Sequence, residues 1–311
     1  MVRRHVPGSA LSVIGFVIAV VLVPPVYAQL PSGGARVALR ITPIPTPAAG
    51  SPLREELQQN QLLVGPGPIL AATTTNLFAQ VAIGAGYTTV FSFLNTGVDA
   101  TLGNLILTAS SGQPMTASFA SPGLPNSVGS AFPISLPSGG SQVITATTLN
   151  PATDPISVGW ARVESSGGDL GGVATFQLAL GTELTTIVGV LSAPATSAAT
   201  IPIDDDHSVF RDTGYAIANP GNTPINIKMV LVLPDGTVHQ TFFPPGLNPL
   251  PPGRHVASFI WQDTNDPFLL YRGSVVMIEQ GGQPFSMVAL VLNKSLFTAI
   301  PVIPGSAPGV R

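Results

Sequence analysis

No cysteine occurs anywhere in the 311-residue chain. That excludes disulfides, thiolate metal sites, cysteine nucleophiles and a lipidated N-terminal cysteine. Charge is nearly as scarce: Asp, Glu, Lys and Arg make up 9% of the residues, against about a quarter in ordinary domains. The only lysines are Lys228 and Lys294. A net charge of -3 leaves no electrostatic footprint for nucleic acid and no polybasic membrane patch. Beyond the N-terminus no apolar run resembles a transmembrane helix. A chain without disulfides must rely on core burial, and an apolar content of 45% allows it.

What is abundant is turn chemistry. Glycine (33) and proline (32) punctuate the chain, which suits many short strands better than long helices. At roughly 100–200 residues per domain, the length suggests two domains plus extras. The N-terminus carries the clearest signal. Arg3 and Arg4 form a positive region, Ala10 to Val23 is almost wholly apolar, and Val26-Tyr27-Ala28 offers a small-residue cleavage site. Residues 1–28 therefore read as a secretory signal peptide, the apolar run being shorter than the ~20 residues of a membrane anchor. Residues 29–75 read as a Pro/Gly-rich linker, with Ile41 to Pro47 favouring extended polyproline-like backbone. Within it, Leu53–Leu63 could form one short helix, with Pro52 in its first turn.

From Phe78 onward, short apolar runs alternate with turn residues. In Ile225–Leu233 the residues Ile225, Ile227, Met229, Leu231 and Leu233 fall on one face at period two. Pro234-Asp235-Gly236 closes that run, and Thr237–Phe243 returns as its hairpin partner. An internal repeat overlies this pattern. Tyr87–Gly97 matches Arg211–Gly221, each a strand ending in Asn-x-Gly. Leu136-Pro137-Ser138-Gly139 matches Leu250-Pro251-Pro252-Gly253, Val173-Ala174 matches Val288-Ala289, and Thr185-Thr186-Ile187 matches Thr298-Ala299-Ile300. The offset falls from 124 to 114, so the first copy holds about ten extra residues, most simply within Ser118–Ser130. These runs predict an all-β chain: two tandem antiparallel β-sandwich domains over 76–192 and 201–304, joined near Ala193–Thr200.

The segments Phe78–Ala82, Tyr87-Thr88-Thr89, Asn95-Thr96-Gly97 and Val158–Val163 resemble repeats of uncharacterised exported bacterial proteins. The resemblance covers about residues 78–303. It implies immunoglobulin-like or fibronectin-type sandwiches and an extracellular module, and it implies no activity. The cysteine pair of antibody domains is missing, so the likeness is architectural.

Few residues stand out as chemistry. Asp204-Asp205-Asp206-His207 is the one dense charge cluster, and carboxylates at that density could hold calcium at the inter-domain joint. Against this, the spacing does not match an EF-hand loop, and a solvated linker explains it as well. His239 and His255 sit singly in predicted strands without a partner at metal-ligand spacing, which favours satisfied strand histidines. Trp160 shares its face with Ile156 and Val158 and reads as core. Trp261, beside a polar loop, and Tyr271 are the candidate ligand contacts, although packing is the favoured reading of Trp261. There is no Gly-x-Ser-x-Gly and no phosphate loop.

These features favour a secreted, non-enzymatic structural or adhesive module at the cell surface, or in the periplasm. Its partners would be further copies of itself, another surface protein or a polysaccharide. A carbohydrate-binding module is the alternative. An exported hydrolase with scattered carboxylates is less favoured, and an outer-membrane barrel least, because prolines interrupt the strands.

Overall fold

In this computed structural model the described residues are 74–166, 169–264 and 270–305. The expected signal peptide, nearly all of the expected linker and the helix expected over 53–63 lie outside the described residues. Within them the chain is almost entirely β, and every pairing between named strands is antiparallel.

The N-terminal half has ten strands. They are β1 (Thr74–Ile83), β2 (Tyr87–Asn95), β3 (Thr101–Ala109), β4 (Ala117–Ala120), β5 (Ser127–Gly129), β6 (Ala131–Leu136), β7 (Ser141–Thr147), β8 (Ser157–Ser166), β9 (Leu170–Leu180) and β10 (Glu183–Leu191). They form a four-stranded sheet, β1-β8-β3-β6, and a six-stranded sheet, β10-β9-β2-β7-β4-β5. The inward faces share one core, in which Phe78, Phe91 and Phe93 pack with ring centroids 5.4–6.2 Å apart. Trp160 is buried too, but not with Ile156 and Val158 as expected: it lies on the face of β8 opposite to Ala161 and Val163, where its indole reaches Gly253 of the C-terminal half.

The C-terminal half has β11 (Ala198–Asp206), β12 (Arg211–Ala218), β13 (Ile227–Val232), β14 (Val238–Phe242), β15 (His255–Phe259), a short helix α1 (Ile260–Thr264), β16 (Leu270–Glu279), β17 (Ser286–Asn293), β18 (Leu296–Ile300) and β19 (Ile303–Pro304). Its layers repeat the first half: β11-β16-β13-β14 parallels β1-β8-β3-β6, and β18-β17-β12-β15 parallels β10-β9-β2-β7. A single pair, Asp206 with Arg211, links β11 to β12. The hairpin read from Ile225–Phe243 forms as β13 and β14, closed by Gly236 at φ 86°. The extra residues of the first copy are β4 and β5, which pair with each other and extend the edge of the six-stranded sheet.

Hydrogen bonds explain why the repeat keeps its landmarks. The side chain of Asn95 donates to the carbonyls of Asp99, Leu136 and Pro137 and accepts from the Gly97 amide. Asn219 donates to Thr223 and Leu250 and accepts from Gly221. The backbone closes each bracket, Gly139 N to Asn95 O and Gly253 N to Asn219 O. Both asparagines are fully buried. Asn-x-Gly and Leu-Pro-x-Gly are therefore two ends of one device. Backbone amides also reach the Pro137 and Leu250 carbonyls, so the asparagine gives each of them a second hydrogen bond.

The segment Ala193–Thr200 is more than a tether. Ala193 N donates to Leu77 O, and Thr196 exchanges backbone hydrogen bonds with Phe285. The two halves then meet along a seam of small residues. Ala216, Ala218 and Val288 of the C-terminal half join the N-terminal core.

Candidate functional site

Two polar constellations lie outside ordinary sheet pairing. The first surrounds the turn from β11 to β12. Strand alternation places Ile201, Ile203 and Asp205 inward and Pro202 and Asp204 outward. The three consecutive aspartates therefore diverge. Asp204 accepts from Arg272 Nε at 2.8 Å and Arg211 Nη2 at 3.3 Å, and the Arg272 hydrogen bond holds its carboxyl below the usual range. Asp206 accepts from the Ser208 hydroxyl. Asp205 is fully buried. Its Oδ1 accepts from the amide and hydroxyl of Thr213, while Oδ2 has no partner. Burial pushes Asp205 up to about 6, against the pull of those two hydrogen bonds. Among the described residues no group of three or more histidine, cysteine or carboxylate side chains is placed to hold a metal ion. The calcium reading of Asp204, Asp205 and Asp206 thus meets a geometry that scatters its ligands.

Around that turn, His207 Nδ1 lies 2.8 Å from Asp212 Oδ1, and burial raises Asp212. The His207 ring stacks on Trp261 with centroids 4.3 Å apart. Trp261, carried by α1, is half-buried, so one indole face is taken by histidine rather than offered to a ligand. Phe210 follows at φ 58° and is 58% exposed. Tyr271, the other expected ligand contact, is 5% exposed, with its hydroxyl reaching Ser274 O at 3.4 Å. It is paired with Asp205 inside the sheet and presents no aromatic face to solvent. Asp263 accepts from Tyr215 at 2.6 Å and Ser258 at 2.8 Å. Burial raises it to about 6 despite both bonds.

The second constellation is at the seam, and sequence reading missed it. His255 is buried between Ser110 Oγ on Nδ1 and Gln80 Oε1 on Nε2, both at 2.9 Å. Burial lowers its pKa to about 4. Trp160 Nε1 donates to Gly253 O at 2.8 Å, and Arg254 reaches Ser111 O. His255 looked solitary because its partners lie 145 and 175 residues away. One signal was available: His255 follows the Leu-Pro-x-Gly landmark, where the repeat brings two turns together.

Chemically, a serine–histidine–amide chain differs from a serine–histidine–carboxylate one. An imidazolium formed at His255 would find no carboxylate to offset its charge. Among the described residues no serine or threonine hydroxyl bonds to His207. Neither histidine therefore sits in a complete nucleophilic relay. No helix among the described residues is long and apolar enough to cross a membrane. No protein-family model, no curated protein and no solved structure matches this chain.

Proposed function

We propose that the chain is an exported, non-enzymatic structural or adhesive module built from two tandem β-sandwich repeats, about residues 76–192 and 201–304, acting as one rigid unit outside the cell and pairing with further copies. The observation that carries this reading is the seam. His255, Trp160 and Ala193–Thr200 tie one half to the other with hydrogen bonds, that of His255 to Gln80 buried, as a spacer that must hold its shape requires. The immunoglobulin likeness is one of layers. In an immunoglobulin constant domain the first two strands share a sheet, whereas here β1 pairs with β8 and β2 with β9 and β7.

Support for pairing comes from the outer face of the six-stranded sheet. One row across it runs Val143, Ser92, Val173 and Leu191, and the next runs Thr145, Val90, Thr175 and Gly189. Neither row holds a charge. Solvated sheet faces ordinarily carry charges that prevent association. Export is supported by Arg3-Arg4, the apolar run Ala10–Val23 and Val26-Tyr27-Ala28. A second reading, sugar binding, rests on the exposed ring of Phe210 beside His207 and Trp261.

The test is to express the full chain with a C-terminal tag, recover it from the extracytoplasmic fraction, and weigh it by light scattering over a concentration series. The proposal expects a shortened N-terminus and a reversible dimer that Val90→Lys abolishes. A cytoplasmic product, or a monomer at every concentration, contradicts it. Hydrolytic turnover lost in His207→Ala would replace it with an enzyme, and a glycan-array signal lost in Phe210→Ala with a sugar-binding module.

A further inference from the structure

Two turns of the C-terminal half hold a backbone conformation that suits glycine, yet carry side chains there. Phe210, between β11 and β12, has φ 58°, and Lys294, between β17 and β18, has φ 60°. The N-terminal half uses glycine in both turns. Gly86 at φ 86° stands where the repeat offset of 124 places Phe210. Gly181 at φ 65° opens the two-residue turn between β9 and β10, as Lys294 opens that between β17 and β18. Glycine therefore satisfies the fold at both places, and the second copy carries a ring and a cation instead. Strain of this kind persists where the side chain it holds is used.

The two turns are joined, the Lys294 amide donating to Phe210 O at 2.7 Å. Strand register gathers further apolar side chains around them. Leu270, Asp206, Arg211, Asn293 and Leu296 form one row across the end of the sheet. Val209, Phe210, Leu270 and Leu296 are 49–69% exposed. The polar side chains beside them are taken up by one another: His207 by Asp212, Asp206 by Ser208, and Asp204 by Arg211 and Arg272. Lys294 makes no ion pair among the described residues.

We infer that this end of the C-terminal half docks on a lipid bilayer, with Val209, Phe210, Leu270 and Leu296 entering the acyl boundary and Lys294 meeting headgroup phosphates. A sugar or a protein hot spot would ask for unengaged hydrogen-bonding groups beside the ring, and those named are already paired. Lipid asks instead for apolar side chains on backbone that is internally satisfied. The tip supplies this, because the Phe210 amide donates to His207 O and Phe210 O accepts from Lys294. The stacked rings of His207 and Trp261 lie beside it, and amphipathic rings of that kind favour the headgroup level. This inference does not depend on the self-pairing proposed above.

The experiment titrates the full chain, labelled at its methyl groups, with phosphatidylcholine bicelles that carry a paramagnetic headgroup. The Val209, Leu270 and Leu296 methyls are expected to broaden saturably. Val98, in the turn after β2, and Val128, in the edge strand β5, are exposed as well and should stay sharp. Lipid held only by the apolar run Ala10–Val23 would not single out the tip. Phe210→Gly relaxes the turn, so its melting temperature should equal or exceed that of the parent, while the lipid needed to half-broaden the tip rises about tenfold. Leu296→Ser should act in the same direction. No selective broadening of the tip, or the same lipid requirement for the parent and Phe210→Gly, overturns the inference. A glycan-array signal, or a change of mass in lipid-free solution, that Phe210→Gly removes would assign the ring to a sugar or a protein and overturn it too. The dimer sensitive to Val90→Lys is measured without lipid, so the two readings fail separately.

Discussion

A buried asparagine carries two donors and an acceptor that must all be answered, and Asn219 answers them with Thr223 O, Leu250 O and the Gly221 amide. Replacing it with alanine removes a buried donor to Leu250 O, which keeps only the Ile225 amide, together with the ties to Thr223 O and the Gly221 amide, so Asn219→Ala should cost about 1–3 kcal/mol. Asn219→Asp keeps the acceptor for Gly221 but sets a carboxylate against two carbonyls. It should destabilise at least as much at neutral pH and recover partly in acid, where protonation restores one donor. Urea unfolding of both variants at two pH values checks this, and a shift below about 1 kcal/mol for the alanine variant would contradict the bracket. At this scale the sequence was partly legible. Asn-x-Gly announces a turn, but nothing local reveals that its side chain closes a second turn 31 residues on in this half and 41 in the first. Tyr271 and the aspartates failed for a related reason. Their burial depends on which way strand alternation turns them, and a run of three identical residues hides that phase.

Strand β16 passes so close to β13 that a Cβ built at Gly273 would stand 2.1 Å from Val232 O, and Gly273 also holds φ 146°. The equivalent residue of the first half, Gly159 in β8, would meet Thr108 O at 2.0 Å. Thr108 and Val232 differ by the early repeat offset of 124, and Gly159 and Gly273 by the later offset of 114. The close approach of two strands has thus been kept in both halves. Gly273→Ala combines steric overlap with a disfavoured backbone and should break the β13–β16 pairing, destabilising by more than about 3 kcal/mol or abolishing the fold. Gly236→Ala is the control. At φ 86° with open space around it, only conformational strain of about 1 kcal/mol is expected. Thermal unfolding ranks the two, and comparable losses would contradict the packing argument. Elements were the most legible scale, because period-two alternation and Gly/Pro punctuation are local. The β4–β5 excursion was placed by offset arithmetic alone. The crossing of β1 to pair with β8 was not visible, because β1 is buried along both faces and its apolar run names no partner.

For the whole molecule, burial of ionisable groups sets a pH dependence opposite to that of most proteins, whose paired carboxylates lose stability in acid. Asp205 and Asp263 each have a folded pKa of about 6, above their ordinary 3.8, because burial disfavours the charged form. The folded state therefore keeps two protons that the unfolded chain releases between about pH 4 and 6. The stability they contribute is fully present below pH 3.8 and is lost as pH rises through 6. His255 acts the other way. Its folded pKa of about 4 lies below the ordinary 6.5, so its contribution is present above pH 6.5 and lost as pH falls towards 4. Asp212, raised in direction, adds to the aspartate side. Asp204 and Asp235 are lowered but exposed and screened by solvent. Two protons against one leave a net slope of order 1 kcal/mol per pH unit, with stability falling from pH 4 to 6. The melting temperature should therefore be higher at pH 4.5 than at pH 7. The double substitution Asp205→Asn with Asp263→Asn should reverse that order, because it leaves the His255 contribution largely unopposed. His255→Gln in the parent background should steepen the fall. A melting temperature that rises steadily from pH 4.5 to 7 in the parent chain would mean that these carboxyls are ionised in the folded protein, with solvent or cations reaching them.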